Sequence, residues 1–362
     1  MNFDRVAKFI CSLNDIGIPG ADVAIYLNGE EVFRHYTGHA DIEEKKPITP
    51  DTLYAIWSMT KVVTCVAALQ LFEKGQFLLS DPIHKYLPEF KAVEPIRIVD
   101  LFTMSAGLPY DHHLPALVEL QENSADGFTV TQFISAISQG PLKSKPGEKW
   151  GYGHSHDVLG GLIEVISGKT LGAYFNDEIF APLGMGDTFF KVPIDKQHRL
   201  AMMYTFDEEK RINRVSETHD ALKSLDFSKK YECGGGGLVS SVDDYAKFAN
   251  ALCFGGVAKN GYRVLSKATI DMMRTNHLCD KRLGEFNSMQ DGYGYGLGVR
   301  TMIHKACGNN SYLGNFGWSG LAGTTVHIDP AIGLVYVYAQ QLMPSKEDFV
   351  HPRLRNVIYG CL

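Results

Sequence analysis

The sequence has few of the features that would place a protein in a membrane, on nucleic acid or in a disulfide framework. Its longest apolar run, from Val62 to Leu71, is too short to cross a bilayer. Lysine and arginine form no cluster that could follow a line of phosphates, and the formal net charge is −6, so we expect no nucleic-acid partner. The seven cysteines are scattered and form no C-x-x-C pair, which favours reduced thiols over disulfides.

The first twenty residues also lack the features of a secretory signal, which is a basic segment followed by a continuous apolar run. The spacing of Phe3, Val6, Phe9 and Ile10 predicts an amphipathic helix instead. Together with the scattered cysteines, these features favour a cytoplasmic protein without a membrane span.

Signals for β-strands lie at both ends of the chain. Asn28-Gly29 stands between two apolar-rich runs and favours a tight hairpin turn, because this dipeptide tolerates positive φ angles. The segment TTVHIDPAIGLVYVYAQQ repeats the pattern around Asp329-Pro330 and Gly333. A sheet assembled from the two ends of the chain follows from this arrangement.

Helix signals occupy much of the sequence between these strands. They cover residues 60–74, 96–104, 129–139, two segments within 156–184, and 240–256. The 362 residues are enough for one large domain or two ordinary ones. We predict a single domain of mixed α and β structure, an α+β fold in which helices flank an antiparallel sheet. Within it we expect an α/β lobe of residues 1–80 plus 231–362 and a mostly helical lobe of residues 81–230, with any cleft between them.

The stretch YAIWSMTK places Ser58 three residues before Lys61, at the start of a strongly apolar helix. Residues i and i+3 share one helix face, about 5–6 Å apart, so the two side chains are able to touch. A serine becomes a good nucleophile when a base removes its proton, and a lysine acts as that base only when its pKa falls. Because S-x-x-K also arises by chance, the spacing alone leaves open a surface lysine with no chemical role.

Five segments resemble the serine β-lactamase and penicillin-binding-protein superfamily, and within it the class C branch. They follow the order of the family's motifs: YAIWSMTK (54–61), DLFTMSAGLPY (100–110), KPGEKWGYGHSHDVLGGLIEVISGK (145–169), CGGGGLVSSVDDYAKFANAL (233–252) and FGWSGLAGTTVHIDP (316–330). The resemblance runs from about residue 20 to residue 345. It implies a β-lactamase/transpeptidase-like fold.

The resemblance also implies roles for individual residues. Ser58 would accept the acyl group, and Lys61 would hold or relay the proton. Tyr152 matches the tyrosine of the second motif and would act first as base and then as acid. The backbone N–H groups of Ser58 and Leu321 would form the oxyanion hole. Without its surrounding block, Tyr152 would be an ordinary loop tyrosine.

Two motifs depart from the pattern of true β-lactamases. The third motif, usually K-T-G, is Trp318-Ser319-Gly320, so an indole replaces the lysine beside which a substrate carboxylate binds. The second motif, commonly Y-[SA]-N, is Tyr152-Gly153-His154. We expect Trp318, Ser319, Gly320 and His154 to bind substrate, although His154 is equally well explained as a residue that tunes Tyr152 or only lines the cleft.

A W-[GS]-G third motif resembles the esterase branch of the family, which includes class C-like esterases and statin-biosynthesis acyltransferases. We therefore predict a serine hydrolase that cleaves or transfers the acyl group of a small ester. One alternative is a β-lactamase or a peptidase acting on D-amino-acid peptides. Another is a non-catalytic penicillin-recognising protein that has kept the fold.

The sequence implies no cofactor and no metal. The pairs His112-His113 and His154-x-His156 lack the i, i+4 spacing of a helical zinc site, and no cysteine cluster accompanies them. The glycines of residues 234–237 lack the Lys-Ser/Thr that follows a phosphate-binding loop, so they predict a tight turn.

Overall fold

The computed structural model describes residues 1–92, 94–124, 127–216, 230–287 and 290–362. Its strands are β1 (Gly20–Leu27), β2 (Glu30–Asp41), β3 (Lys46–Pro47), β4 (Tyr54–Ala55), β5 (Tyr204–Phe206), β6 (Ile212–Arg214), β7 (Val239–Ser240), β8 (Tyr293–Tyr295), β9 (Arg300–Met302), β10 (Phe316–Ser319), β11 (Thr325–Asp329), β12 (Leu334–Ala339) and β13 (Leu342–Met343). Its α-helices are α1 (Asp4–Ser12), α2 (Thr60–Glu73), α3 (Ile98–Phe102), α4 (Pro115–Glu122), α5 (Val130–Ser138), α6 (Ser155–Ser167), α7 (Leu171–Phe175), α8 (Ala181–Leu183), α9 (Val242–Cys253), α10 (Lys267–Met273), α11 (Asp280–Asn287) and α12 (Glu347–Tyr359).

Strands from both ends of the chain form the main sheet. In the described residues it has eight antiparallel strands in the order β3-β2-β1-β12-β11-β10-β9-β8. The N-terminal strand β1 pairs with the C-terminal strand β12, with Val23 opposite Tyr338. Asn28 and Gly29 form the predicted turn between β1 and β2, with φ angles of 52° and 82°. The mixed fold with a sheet built from both chain ends is confirmed.

The predicted helices are present, with shorter bounds than the sequence indicated. Helix α2 ends just before Gly75, whose φ of 70° suits the end of a helix. Four helices, α4, α10, α11 and α12, were not predicted from the sequence. Helix α12 contains Pro352, a residue that ordinarily interrupts a helix, which explains why the pattern did not reveal it.

Helix α2 lies in the centre of the protein. All its residues from Thr60 to Leu71 are buried, and it packs against α6 and α7. Lys61 is among them, with 0% of its surface exposed. A charged group in this position requires hydrogen bonds and opposite charge nearby, because its water shell has been removed.

Among the described residues, no single helix is long and apolar enough to cross a membrane. Only α6 and the segment Leu171–Leu183 reach that length and composition, as a pair bent by 78°. The division into lobes of residues 1–80 plus 231–362 and residues 81–230 stays a prediction.

Candidate active site

Ser58 lies in a 3₁₀ turn, Trp57–Met59, directly before α2 and not within the α-helix itself. The turn depends on Trp57, whose φ of 46° is uncommon for a bulky residue. The indole is 6% exposed and packs in a cluster with Leu53, Val239 and Ala322, which holds the backbone in this conformation. As a result, Ser58 is half-exposed at the end of a buried helix.

Lys61 contacts the nucleophile candidate directly. Its Nζ donates a hydrogen bond to Ser58 Oγ at 3.2 Å and another to the carbonyl oxygen of Gly235. Burial alone lowers the pKa of Lys61, but the phenols of Tyr152 and Tyr110 and a nearby carboxylate raise it above its usual value. The direction of this shift favours the ammonium form of Lys61, which is suited to stabilise negative charge beside Ser58.

Tyr152 approaches Ser58 from the loop before α6. Its hydroxyl donates a hydrogen bond to Ser58 Oγ at 2.7 Å, and Lys61 Nζ lies 4.7 Å from the centre of its ring. On the other side, Trp318 stacks on this ring with centroids 6.0 Å apart, and its indole N–H points to the Tyr152 oxygen at 3.4 Å. The phenolic oxygen is thus placed to exchange a proton with Ser58, next to a fixed positive charge.

The turn after β10 lies against the segment that leads into Ser58. Thr324 Oγ1 donates to the carbonyl oxygen of Ile56 at 3.2 Å, and a Cβ on Gly320 would overlap that oxygen. In the part of the chain that the structure describes, the backbone N–H groups of Ser58 and Leu321 have no hydrogen-bond acceptor. Two such N–H groups would suit a developing oxyanion, and this role for them stays a prediction.

The four predicted substrate-binding residues occupy different surroundings. Trp318 and Gly320 contact Tyr152 and Ile56, beside the candidate nucleophile. Ser319 lies on the opposite face of β10 from Trp318, because side chains alternate along a strand. Its hydroxyl accepts a hydrogen bond from Arg300 at 2.9 Å.

His154 is 2% exposed, and its Nδ1 lies 3.1 Å from Asp157 Oδ2. Its ring packs on Tyr110, with centroids 4.9 Å apart, and that tyrosine is 44% exposed. The geometry favours a supporting role for His154 behind Tyr110. Substrate contacts of all four predicted residues stay predictions.

The sequence did not reveal that Asp157 and Gly235 belong to the site. The predicted tight turn of residues 234–237 is confirmed, and it brings the Gly235 carbonyl to Lys61. Asp157 accepts a hydrogen bond from the Gly235 N–H at 3.0 Å. The one available signal was the position of Asp157 inside the block that also contains Tyr152.

His156, one of the histidines near the site, lies in the core against a backbone carbonyl group. His156 is 0% exposed and Nε2 lies 3.3 Å from the carbonyl oxygen of Phe102. Burial lowers the pKa of His156 to about 3, so its ring is neutral. Within the described ranges, no group of three or more His, Cys, Asp or Glu residues is arranged to hold a metal ion.

Comparison with known proteins gives consistent matches over nearly the whole chain. The family model Beta-lactamase matches residues 6–359. Protein Rv1367c of Mycobacterium tuberculosis is 31% identical over 374 aligned residues, which cover 95% of this chain and 91% of the relative. Esterase EstB of Burkholderia gladioli is 27% identical, over 91% of this chain and 87% of its own length.

Solved structures also match the full length of the chain. EstCE1, described as a hydrolase with promiscuous acyltransferase activity, has a TM-score of 0.84 at 24% identity and covers 99% of this chain and 97% of its own. Simvastatin synthase (LovD) from Aspergillus terreus has a TM-score of 0.82 at 22% identity, covering 100% and 99%. These likenesses confirm the predicted β-lactamase/transpeptidase-like fold.

Proposed function

Since this chain belongs to the Beta-lactamase family, we propose that it is a serine hydrolase or acyltransferase that forms an acyl-enzyme on Ser58 with small ester substrates. One observation carries the proposal: Ser58 Oγ lies 3.2 Å from Lys61 Nζ and 2.7 Å from the Tyr152 hydroxyl. The Ser58 hydroxyl therefore lies beside a group that can accept its proton, the phenolate form of Tyr152, and beside an ammonium ion that stabilises this phenolate.

In the first step Ser58 Oγ attacks the ester carbonyl while its proton passes to the Tyr152 oxygen, which must first have released its own proton to solvent. The Lys61 ammonium stabilises the negative charge on both oxygens. The N–H groups of Ser58 and Leu321 receive the carbonyl oxygen as it becomes an oxyanion. Tyr152 then passes its proton to the leaving alcohol, which departs and leaves the acyl group on Ser58.

In the second step a water molecule or an acceptor alcohol attacks the acyl-enzyme. Tyr152 removes the proton of the incoming hydroxyl and returns it to Ser58 as the acyl bond breaks. With water the result is ester hydrolysis, and with an alcohol it is acyl transfer. The same residues serve both outcomes.

An ester is the preferred substrate because of Trp318. This residue stands where β-lactamases carry a lysine, is 7% exposed and stacks on Tyr152. It provides an apolar surface and one N–H group, and it supplies no cation for a carboxylate. The names of EstB and EstCE1, an esterase and a hydrolase with acyltransferase activity, support the same choice. The class C-like esterase branch stays a prediction from the sequence motifs.

The proposal is tested by comparing 4-nitrophenyl acetate, a chromogenic cephalosporin and a D-alanyl-D-alanine peptide with the same enzyme preparation. We expect the ester to be turned over fastest of the three substrates. We also expect Ser58→Ala to lose this ester turnover. Fast turnover of the cephalosporin or the peptide without ester cleavage would favour the β-lactamase or peptidase alternative. Turnover of none of them, without an adduct on Ser58, would favour a binding protein. The cytoplasmic location stays a prediction from the sequence.

A further inference from the structure

Asp157 is a buried carboxylate surrounded by hydrogen-bond donors. It is the third residue of α6 and 2% exposed. Its Oδ1 accepts hydrogen bonds from the Tyr231 hydroxyl at 2.9 Å, the Cys233 thiol at 3.2 Å and the Gly235 N–H at 3.0 Å, while His154 Nδ1 lies 3.1 Å from Oδ2. A carboxylate hidden from water is costly unless its charge is balanced, so these donors and a nearby cation must compensate it.

The glycine turn of residues 234–237 links this carboxylate to Lys61. A Cβ on Gly235 would lie 2.8 Å from Asp157 Oδ2, and one on Gly234 would lie 2.8 Å from the carbonyl oxygen of His156. The turn therefore fits against the first turn of α6 only as glycine. The Gly235 N–H donates to Asp157 and its C=O accepts from Lys61, so one residue bridges the anion and the cation.

Asp157 also acts on Lys61 through its charge. Lys61 is fully buried, and its Nζ donates to two uncharged oxygens, Ser58 Oγ and the Gly235 carbonyl. Burial raises the pKa of Asp157, but the hydrogen bond with His154 and the positive charge of Lys61 lower it more, so Asp157 is an anion at neutral pH. Against the effect of burial, Tyr152, Tyr110 and Asp157 raise the pKa of Lys61.

We infer that Asp157 is a positioning residue, which holds Lys61 Nζ against Ser58 Oγ through the Gly235 turn and keeps it as an ammonium ion. The inference rests on the proposed function of Ser58. In this view the glycine turn positions Lys61 for the reaction, and Tyr152 is the group that takes the serine proton. Within the described part of the chain, Asp157 is hydrogen-bonded to Tyr231, Cys233, Gly235 and His154 and not to Ser58, so it acts through Lys61.

The variant Asp157→Asn tests this inference, because it keeps the shape of the side chain and removes its charge. We would measure kcat and KM for 4-nitrophenyl acetate from pH 5 to pH 9. We expect kcat to fall by up to about a hundredfold, since a misplaced catalytic group has an effect of this size, with little change in KM. The acidic limb of the kcat/KM profile should move to lower pH by about one unit, because groups near a lost negative charge release their protons more easily.

A second readout follows the nucleophile without an ester substrate. The rate at which a fluorophosphonate modifies Ser58, read by intact-mass spectrometry over the same pH range, should fall and show the same shift. If wild-type protein gives no adduct on Ser58, the proposed function fails. If wild-type protein reacts and Asp157→Asn reacts equally fast, or more slowly by the same factor at every pH, the inference about Asp157 is wrong.

Asp244→Asn is the matched control. Asp244 is also the third residue of a helix, α9, and is 3% exposed, with its carboxylate bound by the Asp187 N–H and the Lys247 ammonium. We expect this variant to lose stability without a shift of the pH profile. If Asp157→Asn does not fold, Tyr231→Phe removes a single donor from Asp157. It should lower kcat several-fold at unchanged KM, and an unchanged kcat would overturn the inference.

Discussion

Replacing Tyr152 with phenylalanine removes one oxygen from the site and leaves the ring in place. That oxygen contacts Ser58 Oγ at 2.7 Å and receives the Trp318 N–H at 3.4 Å. The stacking of the ring on Trp318 does not depend on the hydroxyl. The substitution therefore separates the proton-transfer role of Tyr152 from its packing role.

The expected effect on the rate is much larger than the effect on stability. A positioned acid–base group contributes about 10²–10⁴-fold to a reaction, which corresponds to about 3–5 kcal/mol in activation free energy. Tyr152 is half-exposed, and a single hydrogen bond contributes only about 0.5–1.5 kcal/mol to the free energy of unfolding. We expect Tyr152→Phe to fold normally and to acylate Ser58 at least a hundredfold more slowly.

The assay is a stopped-flow measurement of nitrophenol release from 4-nitrophenyl acetate, with the burst reporting acylation and the steady state reporting turnover. Tyr295→Phe is the control. Its ring lies edge-on to Trp318 at 5.2 Å, it is fully buried, and its hydroxyl has no hydrogen-bond partner in the described part of the chain. Removal of this unpaired hydroxyl should leave acylation unchanged and the stability equal or higher.

An acylation rate of Tyr152→Phe within about threefold of the wild type, a difference below about 1 kcal/mol, would refute the proton-transfer role of Tyr152. The serine proton would then go to another group, and the role of the ammonium ion at Lys61 would have to be revised. A large loss of stability with Tyr152→Phe would instead mean that the phenol serves the packing of the site.

Three further predictions concern neighbouring residues. Trp318→Phe keeps a ring beside Tyr152 but removes the indole N–H donor, so ester turnover should fall less than about tenfold. If this variant no longer preferred 4-nitrophenyl acetate over the cephalosporin and the peptide, the role given to the apolar ring at residue 318 would be contradicted. Gly320→Ala places a methyl group against the Ile56 carbonyl; thermal unfolding should show a loss of about 1–3 kcal/mol, with slower acylation, and unchanged values would show that the turn can move. Because the folded-state pKa of Asp157 lies below its ordinary value, its charge stabilises the fold above about pH 4 and this contribution is lost as the pH falls through the folded value. The difference in unfolding free energy between wild type and Asp157→Asn, measured with urea, should therefore be smaller at pH 3 than at pH 7, and an equal difference would contradict the assignment.

Local patterns in the sequence predicted those parts of the fold that depend on neighbouring residues. The Asn28-Gly29 turn needs only two residues that accept positive φ, and α2 needs only its apolar composition. The pairing of β1 with β12 joins residues more than three hundred positions apart, so the sequence indicated strands at both ends without their order. Helix α12 stayed hidden because it packs through the tertiary fold in spite of Pro352.

In the candidate site, too, local patterns in the sequence predicted contacts between neighbouring residues and missed contacts between distant ones. Ser58 and Lys61 were visible because they are close in sequence, although the positive φ of Trp57 places Ser58 in a turn before the helix. Tyr152 was found only through the resemblance of its block to a family. Asp157 was missed, because a charged residue in a helix usually lies in water and its three donors at residues 231–235 come from a distant segment.

The most direct measurement of the central claim is the location of the acyl group. The protein would be mixed with 4-nitrophenyl acetate, quenched in acid during the burst, digested and mapped by tandem mass spectrometry. We predict one acetyl group per chain on the peptide containing Ser58, attached to that serine and missing in Ser58→Ala. An acetyl group on another residue, formed just as fast in Ser58→Ala, would contradict the account.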